Sequence, residues 1–344
     1  AVEVANRELA KEEWERKYAE AHAKWEAHKA QVEEAKKAGA DAVKLQTYTA
    51  DTITLDSCRD DFQLPGDSPW SNKGSLYQLY TIAHTPWEWH EKLFAEAKRQ
   101  DIVIFSSPFD ETAVDLLERL DVPAYKIASP EITHIPLIRR VAQTGKPVIL
   151  STGISTLEDV ELAVETLRKG GSRQIMVLKC TTAYPAPPEE SNLRTIPDIV
   201  KRFGVLSGLS DHSLGSASAV AAVVLGGVLI EKHFTLDNNS ETVDSFFSSG
   251  ESDFRRMVLD IRQAEASLGS VSYDIAPSAL SSIRGRRSLY VAATIKAGDP
   301  FTAENVKCVR PSFGLHPKFY SEILGRTAAC DLQYGDRLTW DVVV

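Results

Sequence analysis

The chain has 344 residues, a formal net charge of −9 and 43% hydrophobic residues. That much apolar material sustains a buried core and excludes wholesale disorder; no apolar run approaches the ~20 residues of a membrane span, and no secretory signal is read at the start. The acidic balance argues against nucleic acid as a partner. An anionic ligand must therefore be held by a local cluster of lysines.

Eight short apolar runs are read as strands: Val2–Ala5, Ala42–Gln46, Ile102–Ser106, Ala124–Ala128, Val148–Ser151, Ile175–Cys180, Val205–Ser210 and Val228–His233. Between the first two, residues 7–38 form a helical pattern dense in Glu, Lys and Ala, which Gly39 closes. Residues 51–85 are a long insertion ending in Thr85-Pro86-Trp87-Glu88, read as a cap, a first-turn proline and a capping-box partner. Amphipathic stretches at Thr156–Lys169 and Ser216–Leu225 separate later strands. The polar stretch Asn238–Ser252 reads as a rim loop, followed by a closing helix from Ser252 to Leu268. Residues 271–285 read as a linker. The remaining sixty residues have β-like pieces and turn signals at Lys296-Ala-Gly-Asp299 and Tyr334-Gly-Asp336.

Strand and helix alternating eight times predict an α/β fold, a parallel (β/α)8 barrel over residues 1–270. A small mainly-β domain follows over 286–344. Active sites of such barrels sit at the C-terminal strand ends. Here those ends carry Lys44, Gln46, Lys126, Ser129, Glu131, Ser151, Ser210, His212, Glu231 and His233. His212 and His233 end adjacent strands and are placed to share one divalent cation. Lys44 and Lys126 would be costly inside strands unless they face a phosphate or carboxylate. Ser129, Ser151 and Ser210 offer neutral donors to the same oxygens. Glu131 and Glu231 are candidate acid–base groups or outer partners of the metal. There is no Gly-rich phosphate loop, G-x-S-x-G or H-E-x-x-H. Cys58, Cys180, Cys308 and Cys330 have no C-x-x-C spacing, consistent with free thiols in a reducing cytoplasm.

These residues resemble the sialic acid synthase family, which condenses phosphoenolpyruvate with an N-acyl amino sugar. The segments concerned are Gly39–Tyr48, Phe105–Phe109, Ala124–Ser129, Ser151–Gly153, Lys179–Pro185, Gly208–His212 and Ile230–Thr235. The resemblance implies Lys44, Lys126, Ser129, Ser151 and Ser210 for phosphoenolpyruvate and His212 and His233 for Mn2+ or Mg2+. It also implies Gln46, Glu131, Tyr184 and Asp244 near the sugar. The tail, with Arg287–Tyr290, Phe301–Asn305 and Arg310–His316, is similar to an antifreeze-like (SAF) domain. In the family that domain reaches into the partner subunit, which implies a domain-swapped homodimer with Arg310 acting in trans. Leu76–Tyr80, Thr85–His90, Ala186–Glu190 and Gly314–Pro317 most resemble the family's pseudaminic acid branch. The N-acetylneuraminate and legionaminate branches, and a catalytically impaired binding protein, are the alternatives. The first 38 residues depart from the family, whose opening strand carries a glutamate and an Asn-His pair. Here Glu3, Asn6 and Arg7 stand instead, under an overlong helix.

Overall fold

Two-residue alternation along the strands decides what this protein buries and where. A computed structural model describes residues 2–236 and 242–344 and divides into two compact units, residues 1–269 and 270–344. The first unit begins with α1 (Val2–Lys37), then β1 (Ala42–Thr47), α2 (Ala50–Ile53), α3 (Leu76–Ala83) and α4 (Trp87–Arg99). Strand and helix then alternate: β2 (Val103–Pro108), α5 (Glu111–Arg119), β3 (Tyr125–Ile127), α6 (Ile135–Ala142), β4 (Val148–Ser151), α7 (Leu157–Lys169), β5 (Ile175–Cys180), α8 (Thr195–Phe203), β6 (Leu206–Asp211), α9 (Ala217–Val224), β7 (Ile230–Lys232) and α10 (Glu251–Leu268). All seven strands are parallel and pair in sequence order.

One face of each strand meets the helices. Tyr125, Ile127, Val148, Leu150 and Val177 pack there with Val114, Leu117, Leu137, Ile138 and Leu167. The other face points inward, where Phe105, Ile149, Met176, Leu178 and Leu229 form an apolar floor. Two residues further along, that face becomes Ser107, Ser151, Cys180 and Glu231. Period-two geometry thus lifts a polar layer directly above an apolar one.

The barrel-type architecture is the expected one, but among the described residues its sheet has seven strands and not eight. Val2–Ala5 is not a strand; it lies in the first turns of α1. No Gly or Pro interrupts residues 2–38, so a helix once nucleated propagates through a short apolar run with no paired neighbour. Among the described residues, β1 and β7 have no strand between them. A cavity of about 540 Å³ occupies that seam, with Val32 of α1, Lys44, Gln46, Glu231, His233 and Asp244 in its lining. The side chain of Glu3 lies outside the described residues. Helix α1 is anchored near its end, where Val32 packs with Leu93, Ala97, Ile102 and Ile104. Gly39 follows with φ +96°, a conformation that glycine adopts without strain. At α4 the N-cap is Pro86 and not Thr85. The predicted rim loop after β7 lies partly outside the described residues; its later part returns to the strand through Ser249 N–H donating to the His233 carbonyl.

In the second unit, the 3-10 turns of Pro277–Gly285 lead into β8 (Ser288–Val291), which pairs antiparallel with β9 (Val306–Val309). The short helix α11 (Tyr320–Ile323) follows. Leu289, Val291, Ile295, Phe301, Val306, Ile323 and Leu338 form a separate small core.

Candidate active site

The polar layer converges on one carboxylate. Glu231, on β7, receives Lys44 Nζ from β1 at 3.1 Å and Lys126 Nζ from β3 at 3.3 Å. Ser210 Oγ donates to the same Oε1 at 3.0 Å. Lys126 is only 2% exposed. Burial pushes its ammonium down, against the opposing pull of Glu231. Burial would raise Glu231, but the two ammonium groups win and hold its carboxyl well below the usual range. Glu231 is therefore a fixed anion.

Around this group lie polar atoms with nothing to bind. Ser107 Oγ, Glu131 Oε2 and Ser151 Oγ are buried and have no hydrogen-bond partner among the described residues. Ser129 Oγ accepts Gly153 N–H at 2.9 Å. Burial pushes the Glu131 carboxyl up to about 7. Orphaned polar atoms are rare in native interiors and mark a place where a polar ligand completes the bonding.

His212 and His233 follow β6 and β7 with ring centroids 5.3 Å apart. His212 Nδ1 is 2.9 Å from the Thr181 carbonyl oxygen and 3.8 Å from Cys180 Sγ. His233 Nδ1 faces Asp244 Oδ2 at 3.5 Å. A carbonyl and a carboxylate can only accept, so each Nδ1 carries the hydrogen, and in the neutral ring each Nε2 presents a lone pair. Burial lowers His233. It would lower His212 too, but the contacts with Cys180 and Thr181 outweigh it and raise that imidazole. Burial opposes ionisation of Cys180, yet hydrogen bonds from His212 and neighbouring serines bring its thiol down to about 7. Tyr184 stacks against His212 at 4.5 Å and Phe247 at 4.7 Å, and Trp70 stands 5.9 Å away.

The residues expected at the rim are thus gathered in the first unit: Lys44, Gln46, Lys126, Ser129, Glu131, Ser151, Tyr184, Ser210, His212, Glu231, His233 and Asp244. Arg310 belongs to the second unit, exposed beside Arg286 and Arg287. The sequence reading missed Ser107, Trp70 and Phe247. Ser107 carried a signal, since it stands two residues beyond a floor residue; the aromatic walls come from loops with no periodicity. Among the described residues no helix is long and apolar enough to cross a membrane.

Two family models match the chain: the NeuB family over residues 31–273 and the SAF domain over 286–344. The chain is 47% identical to a pseudaminic acid synthase of Campylobacter jejuni subsp. jejuni serotype O:23/36 (strain 81-176), covering 89% of each protein. It is 45% identical to a pseudaminic acid synthase of Helicobacter pylori, covering 89% of this chain and 90% of that one. The crystal structure of the spore coat polysaccharide biosynthesis protein SpsE of Bacillus subtilis superposes with a TM-score of 0.61 at 33% identity, covering 93% and 91% of the two chains. A seven-stranded parallel barrel with a lysine-rich interior, its small β unit and these likenesses agree: the chain belongs to the NeuB family.

Proposed function

We propose that this protein is a pseudaminic acid synthase. It condenses phosphoenolpyruvate with 2,4-diacetamido-2,4,6-trideoxy-β-L-altropyranose, giving pseudaminic acid and phosphate. The observation that carries the chemistry is the meeting of Lys44 and Lys126 with buried, unpartnered hydroxyls in one polar layer. Two ammonium groups and several O–H donors suit a small, multiply charged anion.

Lys44, Lys126, Ser129, Ser151 and Ser210, with Ser107, bind the phosphate and carboxylate of phosphoenolpyruvate. Glu231 keeps the lysines charged and aimed until the anion arrives, a counter-ion role in place of proton transfer. Gln46, Tyr184 and Asp244 line the sugar side, and Glu131 is placed to donate a proton there, because its carboxyl stays protonated up to about 7. The enol carbon of phosphoenolpyruvate attacks the open-chain aldehyde, water adds to the resulting oxocarbenium carbon, and phosphate leaves by C–O cleavage.

Two imidazoles with Nδ1 engaged and Nε2 free fit a divalent cation, Mn2+ or Mg2+. Among the described residues no group of three or more His, Cys, Asp or Glu forms a metal cage, so His212 and His233 would hold the ion with oxygens from water and substrate. When bound, such an ion polarises the aldehyde oxygen. Arg310 of a partner subunit completes the sugar site in a cytoplasmic homodimer.

Phosphate release with Mn2+ and each candidate sugar tests this reading. Turnover is expected with the diacetamido-altrose. Equal or better turnover with N-acetylmannosamine would move the protein to the N-acetylneuraminate branch. Tight phosphoenolpyruvate binding without product on any sugar would make it a binding protein.

A further inference from the structure

One residue before the two histidines lies a buried ion pair that the chemistry above does not use. Asp211 and Lys232 are register partners on β6 and β7, and each immediately precedes one of the histidines. Lys232 Nζ donates to Asp211 Oδ2 at 2.6 Å, with both side chains 3% exposed. The other carboxylate oxygen, Oδ1, accepts Ser213 N–H at 2.9 Å and Ser213 Oγ–H at 2.6 Å. Lys232 Nζ also donates to the Ser213 carbonyl. The carboxylate thus binds β7 through one oxygen and the chain just past His212 through the other.

We propose that Asp211 and Lys232 are positioning residues that set the spacing and direction of His212 and His233. Side chains alternate along a strand, so the pair lies on the opposite face from Ser210 and Glu231 and touches neither imidazole. It acts through the backbone, fixing the two strand ends in register at the points where the chains turn into rim loops. A desolvated ion pair is a poor source of stability, and neutral groups of similar volume often replace one without loss. Its benefit here is geometric. Strand ends free to slide by a fraction of an ångström would misplace both Nε2 lone pairs.

The inference rests on the reading that the histidines hold a divalent cation, and two measurements on the full chain separate the two claims. The first is Mn2+ binding followed by loss of the aqueous Mn2+ EPR signal. His233→Ala should abolish binding. The double variant Asp211→Asn/Lys232→Met should weaken it at least tenfold while melting within a few degrees of the wild type, and Lys232→Arg should recover most of it. A purely structural role would move the melting temperature and leave affinity alone. The second measurement is the 1H–15N spectrum of the imidazoles without metal, which should show Nδ1–H tautomers that are lost or mixed in the double variant. Failure of the wild type to bind Mn2+ would remove the metal reading and leave the tautomer spectrum to judge the positioning role. Unchanged affinity or unchanged tautomers in a folded double variant would overturn that role. Should the double variant not fold, Ser213→Ala, which removes one hydroxyl from Asp211, must weaken Mn2+ binding about twofold to fivefold, and an unchanged affinity there would equally overturn it.

Discussion

Glu131 and Glu231 sit on one rim with opposite electrostatics. Two ammonium groups keep Glu231 ionised, whereas burial keeps Glu131 protonated to about 7. This is the separation of roles that acid–base sites exploit. For Glu131 the folded-state value lies above the ordinary 4.5, so the folded chain holds a proton that the unfolded chain releases. Its contribution to stability is full below about 4.5 and declines by about 1.4 kcal/mol per pH unit until it is lost above about 7. Glu131→Gln cannot ionise, so it should melt higher than the wild type at pH 8 and gain nothing at pH 4.5. An equal difference at both pH values would show that burial does not govern this carboxyl. As an acid, Glu131 also predicts that turnover falls as pH rises through about 7, and the Gln variant should lose that limb of the profile. At Glu231 the neutral Gln removes the partner of a buried ammonium. Such breaks cost roughly 3–5 kcal/mol, and kcat/KM for phosphoenolpyruvate should fall on the order of a hundredfold. A chemical melt and a phosphate-release assay check the two effects separately.

Among the elements, β6 and β7 are held so closely that one of their residues must lack a side chain. A Cβ on Gly208 would lie 2.1 Å from the Leu229 carbonyl oxygen, a backbone atom that cannot move aside. Gly208→Ala should therefore cost about 3 kcal/mol or more and separate the strand ends that carry the histidines. The contrast is Gly145, with φ +71° and open space around it, where Ala should cost only about 1–2 kcal/mol. Comparable urea midpoints for the two variants would contradict this account of the β6–β7 contact. The same elements show why the sequence was legible in parts. Strands from β1 onward announced themselves because apolar floor residues and polar rim residues recur at two-residue spacing, as in Ile149 to Ser151 and Leu229 to Glu231. Helices α7 and α9 were legible from their amphipathic pattern. Val2–Ala5 misled because three apolar residues around Glu3 do not fix their own conformation; the helix formers beside them did. Trp70 and Phe247 were hidden because loop aromatics find their partners only through tertiary packing.

The molecule as a whole joins two units of unlike charge. Residues 1–269 hold 30 Lys and Arg against 41 Asp and Glu, and residues 270–344 hold nine against seven. Salt at physiological strength screens attraction between exposed opposite charges beyond ~8 Å, so this difference steers association only at short range. Arg310 lies on the basic unit with Arg286 and Arg287, and its planar guanidinium suits an acyl or carboxylate oxygen. Residues 271–285, the expected linker, would reach ~50 Å if fully extended. The 3-10 turns of Pro277–Gly285, at ~2.0 Å per residue, shorten that reach to roughly 40 Å. Either length permits the arginine to serve its own barrel or another chain's. The proposed homodimer requires the second, and complementation distinguishes them. Arg310→Ala and His233→Ala chains should each be inactive alone. After subunit exchange at equal amounts, half of the dimers are mixed, and in trans each mixed dimer holds one site with both groups intact. Activity should then return to about a quarter of wild type. In cis, every site in the mixed dimer lacks one group, so exchange verified by native mass spectrometry would restore nothing.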